Sequence, residues 1–354
     1  MQSLPNINTK HKNIFVLRNN DLGDVLVSTP LIFGLKKSFP NARVLIGVGE
    51  WSIPLLQNNP NIDEIIPCNA PWHNKQNCRF PANSPKTFLE GLIYSLLSIE
   101  ARYISKQKFT HGIDVLGSRQ GAWLMVRSGI QNRFGIKGYA GGEGWCHKTL
   151  SFDENKNVSE ASLGFLRLFN VNKKFENRPQ IYLTTNEKNH GDSMWDSANY
   201  SHKRIVIAPG GGFPEKCWGD ENFTILTKKL LQHRNFNLSV IGSIEDKKRI
   251  QVHQSNKIKN FCGEFNLRQS AALVSSANYV ITNTSLSMHL AGAFKIPSVT
   301  LLGEWYDSAK LHHTQWGYPE GIVLGKERCL KMNSLASPEE AYQCIIKSLQ
   351  VHRV

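Results

Sequence analysis

Asp24 stands one residue past Gly23 in Asn20-Asp-Leu-Gly-Asp-Val25, just after the apolar run Ile14–Leu17. A carboxylate at the top of a strand, where a helix begins, is placed to act as a general base in an α/β protein. The same pattern also fits a helix cap, with Asn20 or Asp21 sharing that task. A second strand-to-glycine turn, Arg204-Ile-Val-Ile-Ala-Pro-Gly-Gly-Gly212, is followed by Lys216. Glycines such as Gly211 and Gly212 let a phosphate approach the backbone, and a nearby ammonium can neutralise a leaving diphosphate. A flexible turn with a surface lysine is the plainer alternative, and the spacing is not that of a Walker loop. The third stretch is Asn283-Thr-Ser-Leu-Ser-Met-His289. Thr284 and Ser285 at a helix start can donate hydrogen bonds to phosphate or sugar oxygens. His289, one turn on, either faces that ligand or packs as a buried, hydrogen-bonded ring.

These residues need strands and helices to hold them. The first half alternates strand Ile14–Leu17, helix Val25–Ser38, strand Arg43–Val48, an irregular loop over Asn69–Pro85, helix Phe88–Lys106, strand Gly112–Leu116 and helix Gln120–Ser128. Gly138–Gly144 reads as a mobile connecting or covering loop. The rhythm restarts with strand Ile205–Ala208 and helix Glu221–His233, and ends with helix Glu339–Val351 after Pro338. Strands alternating with helices of this length predict an α/β protein with parallel sheets covered on both faces. Two such sheets in series predict two Rossmann-like domains facing across a central cleft, with ligands outside the carboxyl ends of the strands. The expected domains are 1–185, 186–335, and a helix in 336–354 packing back on the N-terminal domain.

Composition narrows the function classes. The chain has 354 residues, of which 40% are hydrophobic, and no uninterrupted apolar segment of the ~20 residues a membrane helix needs. The first residues, MQSLPNINTKHK, lack the apolar centre of a secretory signal, so cytoplasmic residence is the expectation. Seven cysteines with no C-x-x-C pair read as reduced, mostly buried thiols. No His/Cys cluster has metal-ligand spacing, so neither metal nor cofactor is expected. There is no G-x-S-x-G elbow of a serine hydrolase. A nicotinamide dehydrogenase is disfavoured, because neither half has G-x-G-x-x-G with an acid about 20 residues on. The formal charge of +14 favours anionic partners. The basic residues are dispersed and lack an aromatic-interleaved signature, so nucleic acid is not expected as a partner, whereas a phosphorylated lipid surface fits.

Taken in order, several blocks resemble the ADP-heptose:lipopolysaccharide heptosyltransferases, glycosyltransferases of family 9 with the two-domain GT-B fold. They are Leu22-Gly-Asp-Val-Leu26 with Thr29-Pro30, Gly112–Gly117 with Arg133-Phe-Gly135, Pro209–Trp218 with Asn222-Phe223, Gly242, and Met288-His-Leu-Ala291 with Pro297. The resemblance implies an inverting, metal-independent transfer of a sugar from a nucleotide-sugar donor, an ADP-sugar, to a glycan or glycolipid acceptor. Peripheral attachment to the inner face of the cytoplasmic membrane would accompany it. Asp24 would deprotonate the acceptor hydroxyl, and Lys216 would contact the donor phosphates. Gly23, Gly211, Gly212, Thr284, Ser285 and His289 would line the donor. Asp246, or its neighbour Glu245, would bind the ribose, and Phe265 would meet the adenine. One departure is notable: the family's Asp-Thr-Gly before its helix is Thr284-Ser-Leu286 here. That change leaves open another nucleotide sugar with a soluble small-molecule or protein acceptor, or a nucleotide-sugar binder without turnover.

Overall fold

A computed structural model describes residues 12–195, 202–253 and 255–351. The start of the chain, on which the reading of its N-terminal segment rests, lies outside the described residues. Two compact units, Met1–Gln180 and Ile181–Val354, divide the chain. The division falls slightly before the boundary expected from the sequence.

In the first unit the apolar runs become strands β1 (Asn13–Leu17), β2 (Arg43–Val48), β3 (Glu64–Pro67), β4 (His111–Asp114), β5 (Asn132–Lys137) and β6 (Lys148–Ser151). All pair in parallel, in the order β3-β2-β1-β4-β5-β6. Ile14 and Val16 of β1 point into one apolar cluster while Phe15 and Leu17 point into another, so Ile14–Leu17 are all apolar because both faces of the strand are buried. The chain reverses direction across the sheet at β1, between β2 and β4. The ends of β1 and β4 therefore flank a switch point, where open α/β sheets bind ligands.

The second unit repeats the plan with β7 (Lys203–Ala208), β8 (Phe236–Val240), β9 (Ile258–Asn260), β10 (Tyr279–Thr282), β11 (Ser298–Leu301) and β12 (Gly321–Leu324). Its order is β12-β11-β10-β7-β8-β9, again all parallel, which is the first sheet's order read from the other edge. Its switch point lies between β7 and β10, the strands that lead into Gly210 and Asn283.

Two helices expected to be continuous are broken, each for a local reason. Val25–Ser38 is instead Leu22–Leu26 followed by Thr29–Ser38. Pro30 has no N–H for Leu26, and the Thr29 hydroxyl donates to the Leu26 carbonyl at 2.7 Å in its place. Phe88–Lys106 is Pro85–Leu97 followed by Ile99–Lys106. Ser98 takes an extended conformation, and its hydroxyl accepts from the Ala101 N–H at 3.0 Å, so it starts a new helix. The Gly138–Gly144 loop is pinned rather than loose. Gly142 donates to the Gly117 carbonyl at 3.0 Å and Arg119 to the Ala140 carbonyl at 3.1 Å. A Cβ on Gly142 would fall 2.4 Å from the Ser118 carbonyl oxygen, so only glycine allows this approach.

The final helix, Pro338–Val351, which the sequence reading set against the N-terminal domain, buries Ala341, Ile345 and Leu349 in the second unit's own core beside Phe223, Leu230 and Tyr279. The helices Thr185–Ser193 and Ala309–Trp316 and the edge strands β6 and β12 had no place in the sequence reading. Among the described residues, no helix is long and apolar enough to cross a membrane.

Candidate active site

At the end of β1 the chain passes through Arg18, Asn19 and Asn20, all buried, into the short helix Leu22–Leu26. Asp24 does not cap this helix. The N-cap is Asp21, and Asp24 lies in the first turn with its side chain 28% exposed. Arg18 is the residue that holds it. Its Nη2 donates to Asp24 Oδ1 at 2.9 Å and its Nε to the Asp24 carbonyl at 3.2 Å, while the Arg18 N–H is fixed on the Gly47 carbonyl. A charge-assisted pair made by a buried guanidinium fixes the carboxylate's direction, and Oδ2 takes no hydrogen bond from the described residues.

A strap from the Asn69–Pro85 segment grips the same turn. Asn19 Nδ2 donates to the Trp72 carbonyl at 3.0 Å and Asn20 Nδ2 to the His73 carbonyl at 2.7 Å, and the Lys75 N–H donates to Asp21 Oδ1 at 3.1 Å. Trp72 is fully buried, so the irregular segment is anchored by packing rather than by regular structure. Burial, and then the charge of Arg18, lower the pKa of His73.

Replacing Arg18 by glutamine is expected to slow any reaction that depends on the Asp24 carboxylate by about tenfold or more, since a hydrogen bond to a charged group is worth about 1.5–3 kcal/mol. Combined with an Asp24 substitution it should add little, because a positioning residue loses its effect once its target is gone. A full additive loss in the double variant would show that Arg18 acts independently of Asp24.

In the second unit the turns after β7 and β10 are bolted together by Asn283, which is fully buried. Its Nδ2 donates to the carbonyls of Pro209 at 2.6 Å and Gly210 at 3.4 Å, and its Oδ1 accepts from the Trp218 N–H at 2.9 Å. Lys216 closes a single turn, Pro214–Lys216. Its Nζ lies 4.6 Å from the centre of the Phe213 ring and 5.9 Å from that of Tyr306, so two aromatic faces hold the ammonium. The Trp305 N–H donates to the Glu215 carbonyl at 2.9 Å, bringing the loop after β11 to the same place.

Thr284 faces this group. Its hydroxyl shares a 2.9 Å hydrogen bond with His312 Nε2, and the Tyr306 ring packs edge-on against His312 with ring centres 4.9 Å apart. Burial, then the charges of His289, His313 and Lys216, push the His312 pKa down to about 3. The ring is therefore neutral near pH 7. In the first unit burial, then Lys12 and Lys148, push His111 down to about 4. Both folded values lie below the ordinary 6.5. The folded state thus binds fewer protons than the unfolded one, and stability rises with pH. The contribution is complete above about pH 6.5 and is lost as pH falls toward 4 and then 3. Thermal melts should therefore shift down steadily on acidification from pH 7 to 4.5, with a shallower slope in His111→Phe.

The remaining candidates divide between ligand-facing and internal positions. Asp246 is 8% exposed, and its carboxylate is already engaged. Oδ2 accepts from the Ser243 N–H and hydroxyl, both at 2.8 Å, and Oδ1 from Arg249 Nε at 2.6 Å. It packs so tightly on Gly210 that a Cβ there would lie 2.4 Å from Oδ2. Glu245 beside it is exposed. Ser285 Oγ pairs with the Thr282 hydroxyl at 3.0 Å, and His289 is buried with Nδ1 sharing a 2.7 Å hydrogen bond with the Tyr318 hydroxyl. Phe265 is half-buried and stacks on Phe261 with ring centres 4.3 Å apart and planes at 13°. The turns after β8 and β9 are joined by the Gly263 N–H on the Gly242 carbonyl.

The sequence model of glycosyltransferase family 9 (heptosyltransferase) matches residues 100–342. The chain belongs to this family. It is 24% identical over 309 residues to the lipopolysaccharide core heptosyltransferase OpsX of Haemophilus influenzae, covering 82% of this chain and 78% of that one. The solved Escherichia coli ADP-heptose LPS heptosyltransferase II superposes with a TM-score of 0.71 at 20% identity, covering 97% of this chain and all of that one. The E. coli heptosyltransferase WaaC, solved with ADP-2-deoxy-2-fluoro heptose, superposes with a TM-score of 0.69 at 15% identity, covering 95% of this chain and 99% of that one. These superpositions establish the GT-B fold for the family 9 transferase described here.

Within this family 9 glycosyltransferase, the structure draws Gly210–Gly212, Lys216 and Thr284 to the carboxyl ends of β7 and β10. Arg18, Asn283, Tyr306 and His312 had not been singled out as site residues. Arg18 and Asn283 each sit immediately past a run of four buried strand residues, where a polar side chain must find partners, and that position was the available signal.

Proposed function

We propose that this glycosyltransferase moves a heptose from ADP-heptose to a lipopolysaccharide-core acceptor, with inversion at the anomeric carbon. The observation that carries the reading is the Arg18–Asp24 pair, a carboxylate aimed by a buried guanidinium at a sheet switch point with one oxygen left open. In this reading the first unit binds the acceptor and the second the donor. Asp24 takes the acceptor hydroxyl proton as that oxygen attacks the anomeric carbon. The bond from that carbon to the diphosphate oxygen breaks, and ADP leaves with the electron pair.

Lys216 and the backbone N–H groups of Gly211 and Gly212 stabilise the charge gathering on the diphosphate. Glu245, exposed beside the internally engaged Asp246, takes the ribose hydroxyls. The Phe261–Phe265 stack offers its outer face to the adenine. The supporting parallel is the ADP-2-deoxy-2-fluoro heptose described with WaaC. The acceptor's lipid part places the reaction at the inner face of the cytoplasmic membrane.

The test is ADP release and product formation with ADP-heptose and a heptose-deficient core acceptor. Release with another ADP- or UDP-sugar and none with ADP-heptose would overturn the choice of sugar. One observation favours that second outcome: Thr284, held by His312, presents a hydroxyl where a carboxylate would grip the donor more firmly.

A further inference from the structure

The helix Pro85–Leu97 turns its small residues inward and its large apolar ones outward. Thr87, Gly91 and Ser95 are its buried residues. Leu89, Leu92, Ile93, Leu96 and Leu97 face solvent and are 42–61% exposed, and Ile99, opening the next helix, is 81% exposed. The small inner residues let the helix lie close to the body: a Cβ on Gly91 would fall 2.5 Å from the Gln120 side chain. At 1.5 Å rise per residue the outer face from Leu89 to Leu97 is a leucine and isoleucine stripe about 12 Å long. Single exposed aliphatics are ordinary on a soluble protein, but a continuous stripe marks a surface that something covers.

Charge selects what covers it. Between residues 75 and 108 there are six cations, Lys75, Arg79, Lys86, Arg102, Lys106 and Lys108, against two acids, Glu90 and Glu100. All six cations are exposed, whereas the acids are half-buried, and Glu100 Oε1 already accepts from the Asn69 N–H. A second copy meeting this face about a two-fold axis would set cations against cations. An anionic lipid surface complements both parts, with apolar side chains at the acyl boundary and cations on phosphates.

We propose that the outer face of Pro85–Leu97, with Ile99, docks on a bilayer carrying anionic headgroups. Its purpose rests on the reading of the acceptor as a glycolipid. The connection to the chemistry is short. Tyr94 on this helix packs edge-on against Trp72 with ring centres 5.3 Å apart. The carbonyls of Trp72 and His73 hold Asn19 and Asn20 ahead of Asp24. One strap thus ties the docking helix to the turn bearing the base.

The test is co-sedimentation of the full chain with phosphatidylglycerol/phosphatidylethanolamine vesicles and with phosphatidylcholine vesicles, without donor or acceptor. The wild type should partition onto the anionic vesicles, less so as salt rises, and L92E/L96E should bind them at least tenfold more weakly. Both substitutions are on exposed positions, so the thermal melt and turnover on a deacylated, soluble acceptor should match the wild type. A charge-reversed K86E/R102E variant should lose several-fold in binding together with most of the salt dependence. Equal partitioning of wild type and L92E/L96E overturns the proposal, as does a wild type that ignores anionic vesicles. A lipid-free dimer of the wild type that L92E/L96E abolishes also overturns it, in favour of a second copy. Vesicle binding with no turnover on any acceptor upholds the docking face and counts against the proposed function alone.

Discussion

Asp24→Asn is expected to lower kcat by about 10²–10⁴-fold, the range over which a positioned general base contributes. Donor affinity should be nearly unchanged. Asparagine keeps the size of the side chain and can still place an oxygen on Arg18 Nη2, so the turn at the end of β1 should keep its shape. On the proposed mechanism, what it loses is the capacity to take the acceptor proton while the new glycosidic bond forms. The measurement is steady-state turnover beside calorimetric titration of the nucleotide sugar. A kcat within threefold of wild type would remove Asp24 as the base.

Lys216→Met should act on the other side of the reaction. The ammonium lies against Phe213 and Tyr306, and methionine keeps an apolar stem there, so the packing of the turn should survive. The charge that the proposed mechanism sets against the leaving diphosphate would be gone. Removing one group that stabilises charge developing in a transition state costs on the order of 10²–10³-fold in turnover. The loss should therefore appear in kcat as well as in donor binding, and it should shrink for a donor whose leaving group carries less charge. An effect confined to the acceptor's KM would place Lys216 outside the donor machinery.

Much of this architecture was legible in the residues themselves. Apolar runs of strand length, each followed by a helical period, specify parallel sheets, and both sheets are present with all their strands parallel. The glycine turns after Leu17 and Ala208 marked the two switch points because such turns are needed where backbone must come close to a ligand. Other features were hidden for physical reasons. β6 and β12 are edge strands of only four residues, and β12 is at best half-buried, so neither shows the long apolar run of a central strand. Leu89, Leu92, Ile93 and Leu96 have helical spacing, but periodicity gives the width of an apolar stripe and not which side of the helix meets the body. Arg18 looks like the polar end of a strand, since its partner lies six residues on and only the fold brings them together. Asp246, which the resemblance sets at the ribose, has a carboxylate engaged by Ser243 and Arg249, and only the fold shows those partners. The break at Pro30 could have been read from the proline alone.

The placement of the last helix has a consequence for shortened forms of the chain. A stop between Asn333 and Ala341 would leave every strand of both sheets encoded, yet it would strip Ala341, Ile345 and Leu349 from beneath Phe223 and Tyr279. Such a product would have an intact first lobe fused to one with a hole in its floor, prone to clump or be degraded rather than simply work less well.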